Sequence, residues 1–307
     1  MPLRALNQPL ARLIVMVICL ITLCLGSCIP GAVSPDPSPT TLLASPSVGS
    51  TGTGLSPTAT LNESLTPAST ARPQPWMEGP ISIGSTAGGR PMEIYRFGHG
   101  DSARLIVAGI HGGYEWNTSA LAEALIDHLN QNPDLVPNDV TLYILPVLNP
   151  DGAARGHDAN GRANDRNVDL NRNWPALWEP TGSPGACWHF QGLTAGEHPA
   201  SEPEVRALLA FIVENQIELI LNYHSAALGI FPGGQPPDTE SVRLAEAVSA
   251  VSPYPYPPIN LGCRYTGQLI DWASQQSIPS LDIELTDHSQ IDWEINLEIL
   301  RVFLAFD

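Results

Sequence analysis

The chain has 307 residues, room for roughly two domains, and its 31 acidic residues face 14 arginines and no lysine, for a formal charge of −17. A chain of that charge has no electrostatic grip on phosphate backbones or anionic headgroups, which excludes nucleic acid as a partner. Apolar residues make up 43% and charged residues 15%, so the acid excess sits on an ordinary folded domain and not on a disordered acidic tail.

The N-terminus reads as an address. Arg4 and Arg12 precede an apolar run from Leu13 to Gly26, 14 residues against the roughly 20 that a membrane-spanning helix needs, which is the pattern of a signal peptide. The run ends in Leu25-Gly26-Ser27-Cys28, which resembles the bacterial lipobox. That resemblance implies cleavage before Cys28 and lipidation of its thiol, leaving the protein exported and anchored to the membrane surface of the cell envelope, or secreted if Cys28 carries no lipid. From 29 to 75 the chain changes character: Ser, Thr, Pro and Gly fill 29 of 47 positions, with no aromatic residue. Such a segment cannot build a core and is expected to be an extended tether. The expected layout is therefore a signal peptide over 1–28, a tether over 29–75 and one catalytic domain over 76–307.

Within that domain, β-type apolar runs occupy 93–97, 104–110, 140–148, 217–223 and 280–285. Most are nearly continuous, as in strands covered on both faces. Helical periodicity fills 118–129 and 292–306, and Ser201-Glu202-Pro203-Glu204 reads as a helix start with proline and acids in the first turn. The alternation predicts an α/β fold, a three-layer domain whose mixed, mostly parallel central sheet carries helices on both faces. Cys187 and Cys263 are the two cysteines of the domain, a candidate disulfide in an exported chain, although spacing alone does not bring the sulfurs together. There is no Cys-x-x-Cys knuckle, phosphate-binding glycine loop or Gly-x-Ser-x-Gly elbow, so nucleotide chemistry and the common serine-hydrolase plan lack support.

The run 104–110 leads directly into His111-Gly112-Gly113-Tyr114-Glu115-Trp116, and the run 217–223 delivers His224. Ligands in open α/β sheets bind beyond the strand ends. Two imidazoles and a carboxylate form a donor set suited to a catalytic zinc, which takes three protein ligands and leaves a fourth position open. In order after these come Leu148-Asn149-Pro150-Asp151-Gly152, Arg162, Asp169-Leu170-Asn171-Arg172-Asn173-Trp174, Asn222-Tyr223-His224-Ser225 and Ile283-Glu284-Leu285. This series resembles the zinc carboxypeptidase family, the carboxypeptidase A type of metallopeptidase. The short domain is also similar to compact bacterial members such as murein peptide amidases and γ-glutamyl-diaminopimelate peptidases.

The resemblance implies one zinc ion held by His111, Glu115 and His224, and hydrolysis of a C-terminal or near-C-terminal peptide bond by metal-activated water with Glu284 as general base. It further implies Arg162 at the oxyanion, Asn171 and Arg172 on the substrate carboxylate, Tyr265 as the residue closing over substrate, and Ile270 at the floor of the side-chain pocket. A guanidinium binds a carboxylate by two parallel hydrogen bonds in one plane, which supplies charge and orientation together. Two ambiguities stand. Asp282 and Glu284 share a face of their strand, so periodicity does not separate them and the family motif selects Glu284. Arg166 competes with Arg162, which the spacing to the Asp-Leu-Asn-Arg run favours.

The chain departs from the family in carrying three residues between His111 and Glu115 where the family has two, so the loop must bulge or the pair must sit differently. The implied substrate is a peptide or a peptidoglycan stem peptide, and the implied state is a monomer. Two other classes compete: an N-acyl amino acid deacylase of the same fold, like the aspartoacylase group, and a non-enzymatic lipoprotein that binds wall peptides.

Overall fold

Seven strands form one sheet in the order β1-β2-β4-β3-β5-β7-β6. In chain order these are β1 (Met77–Ser85), β2 (Pro91–Gly98), β3 (Ser102–Val107), β4 (Val140–Leu145), β5 (Leu219–Ser225), β6 (Ile230–Pro232) and β7 (Ser280–Leu285). The four central strands β4, β3, β5 and β7 are mutually parallel, whereas the outer pairings are antiparallel. The computed structural model describes residues 76–187, 192–226 and 228–307. The expected signal segment, Cys28 and the tether lie outside the described residues, and among those described no helix is long and apolar enough to cross a membrane.

Side-chain alternation on the central strands sorts the core into two layers. On one face Ile106, Leu221, Tyr223, Leu281 and Ile283 pack against α1 (Trp116–Gln131), α4 (Thr239–Ser249) and α6 (Trp293–Ala305). On the other, Leu105, Val107 and Ile220 pack against α3 (Pro203–Glu214) and α5 (Leu269–Gln275). Helices on both faces give the expected three-layer domain. A short helix, α2 (Pro150–Ala153), follows β4, its start capped by Asn149, whose Oδ1 accepts from the Gly152 N–H at 2.8 Å.

The strand and helix expectations recur with shifted ends. β3 and β4 stop at Val107 and Leu145, earlier than the apolar runs that continue to Ile110 and Leu148. Beyond Val107 the chain turns at Gly109, which takes φ +60, while backbone bonds from Ala108 to Leu145 and from Leu148 to Ala108 keep the two segments side by side outside the regular ladder. At α3 the cap position is Glu202, with no side-chain cap bond, and Pro203 opens the first turn. Ser201 instead donates its hydroxyl hydrogen to Glu202 Oε1.

Candidate active site

Two strand ends bring the chemistry together. In the parallel register of β5 on β7, Asn222 lies opposite Asp282 and His224 opposite Glu284. All four occupy even positions, while Leu221, Tyr223, Leu281 and Ile283 turn to the opposite face. The expectation that Asp282 and Glu284 share a face is met, and both line one cavity of about 290 Å³ together with His111, Glu115 and His224.

The first ligand loop resolves the unusual spacing. Beyond β3 the chain forms a 3-10 turn over Gly112–Glu115, which takes up the extra residue and returns the Glu115 carboxylate to His111. Gly112 sits at φ +46, and a Cβ there would lie 2.7 Å from the Gly161 carbonyl oxygen and 2.8 Å from the Ala153 nitrogen. Only glycine fits that approach. Glu115 Oε1 is 2.7 Å from His111 Nδ1, and Glu115 Oε2 is 3.1 Å from His224 Nδ1.

The two Nδ1 atoms are 3.3 Å apart. Ligands held about 2.0–2.1 Å from a tetrahedral zinc ion sit about 3.3 Å from each other. The donor atoms of His111, Glu115 and His224 converge in a buried cluster, so these residues fit a zinc ion. Burial opposes ionisation of Glu115, yet the two imidazoles hold its carboxyl well below the usual carboxylate range, the anionic form that a cation needs.

Outer contacts orient each ligand. Asp169 is central: its Oδ1 lies 3.2 Å from His111 Nε2, and its Oδ2 accepts from Arg162 Nε at 3.0 Å and pairs with Nη2 at 2.9 Å. The same carboxylate caps the turn Leu170–Arg172 by accepting the Asn171 N–H at 3.0 Å. Asp169 stands inside the motif quoted above but had no role assigned. Its position just before the Asn171-Arg172 pair was the available signal.

Arg162 is buried on the cavity wall and Arg166 is not on it; the side chain of Arg166 is 55% exposed and lies 3.8 Å from Glu202. Of the two, Arg162 is the one that lines the cavity. Arg155 pairs with Asp165 and serves the ordinary role of an arginine in an acidic protein.

Asn171 and Arg172 enter the same cavity. Asn171 Oδ1 accepts the Leu269 N–H at 3.1 Å, which turns its Nδ2 toward His224 Nε2 at 3.2 Å. Arg172 donates to the Asn171 carbonyl at 2.7 Å and reaches the Cys187 carbonyl at 3.4 Å. Among the described residues no carboxylate forms an ion pair with it, so a buried guanidinium faces the cavity with its charge uncompensated at contact distance. The Tyr265 ring centroid lies 5.7 Å from that guanidinium, and its hydroxyl is buried without a hydrogen-bond partner. Cys187 and Cys263 form a disulfide, which ties the segment contacting Arg172 to the segment that carries Tyr265.

One expected site residue is elsewhere. Ile270 is buried in the second position of α5 and does not line the cavity; its carbonyl accepts from Ser280 Oγ. The cavity wall there is Gln268. Just before α5, Gly267 passes so close to Arg172 that a Cβ would lie 2.3 Å from the Arg172 carbonyl oxygen, and the helix then begins with Leu269 and Ile270 both buried.

Glu284 has the environment of a base. Its Oε2 is buried with no hydrogen-bond partner, and burial, reinforced by the nearby Glu115 and Asp282 carboxylates, pushes the carboxyl up to about 8 against the pull of His224 and Arg162.

A family description of the zinc carboxypeptidases matches residues 69–294. The chain belongs to the zinc carboxypeptidase family. Carboxypeptidase A1 of Mus musculus is 31% identical over 248 residues, a match covering 69% of this chain and 58% of the mouse protein. The chain thus spans well under two thirds of the length of that relative. Among solved structures, bovine thrombin-activatable fibrinolysis inhibitor in complex with tick carboxypeptidase inhibitor superposes with a TM-score of 0.58 at 25% identity, covering 73% of this chain and 87% of the other. Murein-tripeptide amidase MpaA from Escherichia coli O157 shares the fold at 24% identity and a TM-score of 0.54, covering 76% of this chain and 93% of the amidase.

Two outcomes follow from this zinc carboxypeptidase centre. When His224 Nδ1 faces a metal, its Nε2 carries the proton and needs an acceptor. Asn171 and Asn222 turn amide nitrogens toward it, and Asp282 Oδ2 stands 3.5 Å away. Asp282→Asn is therefore expected to weaken zinc binding about 10- to 100-fold, measured by competition with a chromophoric chelator; unchanged affinity would remove Asp282 from this role. For Glu284, an acid whose folded pKa stands above its unfolded value destabilises the folded state only where it is forced to ionise. In metal-stripped protein the penalty is absent below the unfolded carboxyl range and complete above about 8. Glu284→Gln should accordingly raise the melting temperature at about pH 9 and lose that advantage by about pH 4, as read by calorimetry across pH.

Proposed function

We propose that this protein is a zinc-dependent peptidase of the metallocarboxypeptidase type that hydrolyses an amide bond next to a free substrate carboxylate. The observation that carries the reading is the joint presence, in one cavity, of the three metal donors, a Glu284 Oε2 with no hydrogen-bond partner and a buried Arg172 with no ion-pair partner among the described residues. A zinc ion bound by His111, Glu115 and His224 supplies Lewis acidity, which polarises the scissile carbonyl and acidifies water.

The protein's own groups do the rest. Arg172, oriented by the carbonyls of Asn171 and Cys187, takes the substrate carboxylate with Asn171 and so fixes which bond is presented. Arg162, locked by two bonds to Asp169, places positive charge where the carbonyl oxygen becomes negative. Glu284 Oε2 has no competing donor, so it takes a proton from the attacking water and returns it to the departing amine. Tyr265 closes the side of the cavity next to Arg172.

A terminal peptide residue and a murein stem peptide both present a free carboxylate beside the scissile amide. Supporting the second is the likeness in fold and extent to the murein-tripeptide amidase. The deacylase reading is weaker because the Asn149-Pro150-Asp151-Gly152 and Asp169-Leu170-Asn171-Arg172-Asn173 runs resemble those of the peptidases.

The deciding measurement is mass spectrometry of products from a library that mixes ordinary peptides with purified muropeptides. Arg172→Ala should raise KM for free-carboxylate substrates by about 100-fold, as expected for loss of a buried charged hydrogen-bonding partner, and change turnover of C-terminally amidated substrates little. Equal losses on both would refute the clamp. We further propose, on the sequence of residues 13–28, that lipidated Cys28 anchors the enzyme to the membrane surface, where a monomer acts. Cys28→Ser should move the protein from the membrane to the soluble fraction, and retention in the membrane would overturn the anchor.

A further inference from the structure

The cavity has a second wall beside the metal loop, and the inference drawn from it rests on the peptidase reading above. Tyr114 immediately precedes Glu115, lines the cavity and places its ring centroid 4.7 Å from that of His288. The Arg162 guanidinium lies 5.7 Å from the same ring. His288 comes from the segment after β7, so this wall joins two loops with no part in the Arg172 clamp.

A chain of hydrogen bonds fixes how His288 is presented. Asn117 Nδ2 donates to the Asp287 carbonyl at 2.7 Å and to the Gln290 carbonyl at 2.8 Å. Both amide hydrogens are committed, and Asn117 Oδ1 is left as an acceptor. Ser225 Oγ donates to that oxygen at 3.0 Å. Its only hydrogen is then used, so at its 2.8 Å contact with His288 Nδ1 the hydroxyl must accept. Neutral His288 therefore carries its hydrogen on Nδ1 and offers a lone pair on Nε2. The two carbonyls at the far end of the chain, which can only accept, dictate this tautomer.

The cavity thus has two walls of different chemistry. Arg172 and Tyr265, joined through the disulfide segments, suit an anion. Tyr114 and His288, next to Glu115 and Ser225, offer a flat ring and a hydrogen-bond acceptor, which suit a planar amide with an N–H. If the clamp holds the carboxylate of the leaving residue, the other wall is left for the residue that donates the scissile carbonyl. We propose that Tyr114 and His288 form the acyl-side subsite, with His288 Nε2 accepting the backbone N–H of the acyl-side residue and Tyr114 packing on its amide plane. The ligand class is an N-acylated dipeptide or longer peptide whose acyl-side residue bears a secondary amide.

The test uses the zinc-loaded full chain and two N-acetyl dipeptides that differ only by N-methylation of the acyl-side amide. Wild type should favour the unmethylated peptide by about tenfold in kcat/KM, as loss of one hydrogen bond implies. His288→Ala and His288→Phe should bring that ratio close to one, with zinc content and the preference for free over amidated C-termini retained. Tyr114→Ala should lower kcat/KM for both peptides. Undiminished discrimination in both His288 variants, or none in wild type, overturns the subsite alone. A zinc-loaded wild type inert toward every peptide overturns the peptidase reading, and the subsite falls with it.

Discussion

The site depends on the parallel register of β5 against β7. That pairing sets Asn222 beside Asp282 and His224 beside Glu284, and it does so while Leu221, Tyr223, Leu281 and Ile283 fill the opposite layer. Because side chains alternate with a period of two, a slip of one residue would send the metal ligand and the base into the hydrophobic layer and bring aliphatic side chains into the cavity. The apolar alternates therefore enforce the register, and the polar ones exploit it. Core packing and catalysis are here two readings of one strand pairing.

Placing so much charge in a buried site needs compensation. Glu115, Asp169 and Arg162 are all buried, as are both imidazoles. Removing ions from water is costly unless each finds partners in good geometry. Asp169 meets that demand with contacts to His111, Arg162 and the Asn171 backbone, and so couples His111, Arg162 and the turn that carries Asn171 and Arg172. Glu284 and Arg172 stand apart: among the described residues the Glu284 Oε2 has no hydrogen bond and Arg172 has no carboxylate partner. Buried groups left unsatisfied in this way are a standing cost to stability, of the kind found where a group must stay available for chemistry.

Much of this was legible in the sequence, for physical reasons. The parallel strands are covered on both faces and read as unbroken apolar runs, and their ends deliver His111, His224 and Glu284 at positions that motif order identifies. β1 escaped because an edge strand interrupted by Gly79, Pro80 and Gly84 has no such run, and β6 because three residues make no pattern. α5, with seven residues, is too short for a periodic signal. Asp169 was visible as a letter in a motif, but its role depends on His111 and Arg162 arriving from elsewhere in the chain. Ile270 lies outside the cavity lining, and motif position carries no information on how the irregular segment before α5 enters the helix. The extra residue between His111 and Glu115 gave no direct clue to its geometry, since a 3-10 turn and an open bulge have the same length in sequence.

The two halves of the site differ in what holds them. The metal half grows from strand ends and inherits the rigidity of the sheet. The clamp half is made of irregular segments around Arg172, Cys187 and Tyr265, joined outside the sheet by a single parallel bridge of Ala186 with Arg264. There the adjoining Cys187–Cys263 disulfide reinforces that bridge across a separation of 76 residues, contributing about 4 kcal/mol in the chain-entropy account. Besides that global contribution it has a local one, because Cys187 supplies a carbonyl to Arg172 and Cys263 lies two residues before Tyr265. The cross-link thus ties the segment that contacts the Arg172 guanidinium to the segment that carries the Tyr265 ring, 5.7 Å from it. Oxidising surroundings preserve such a bond, which accords with the export proposed above.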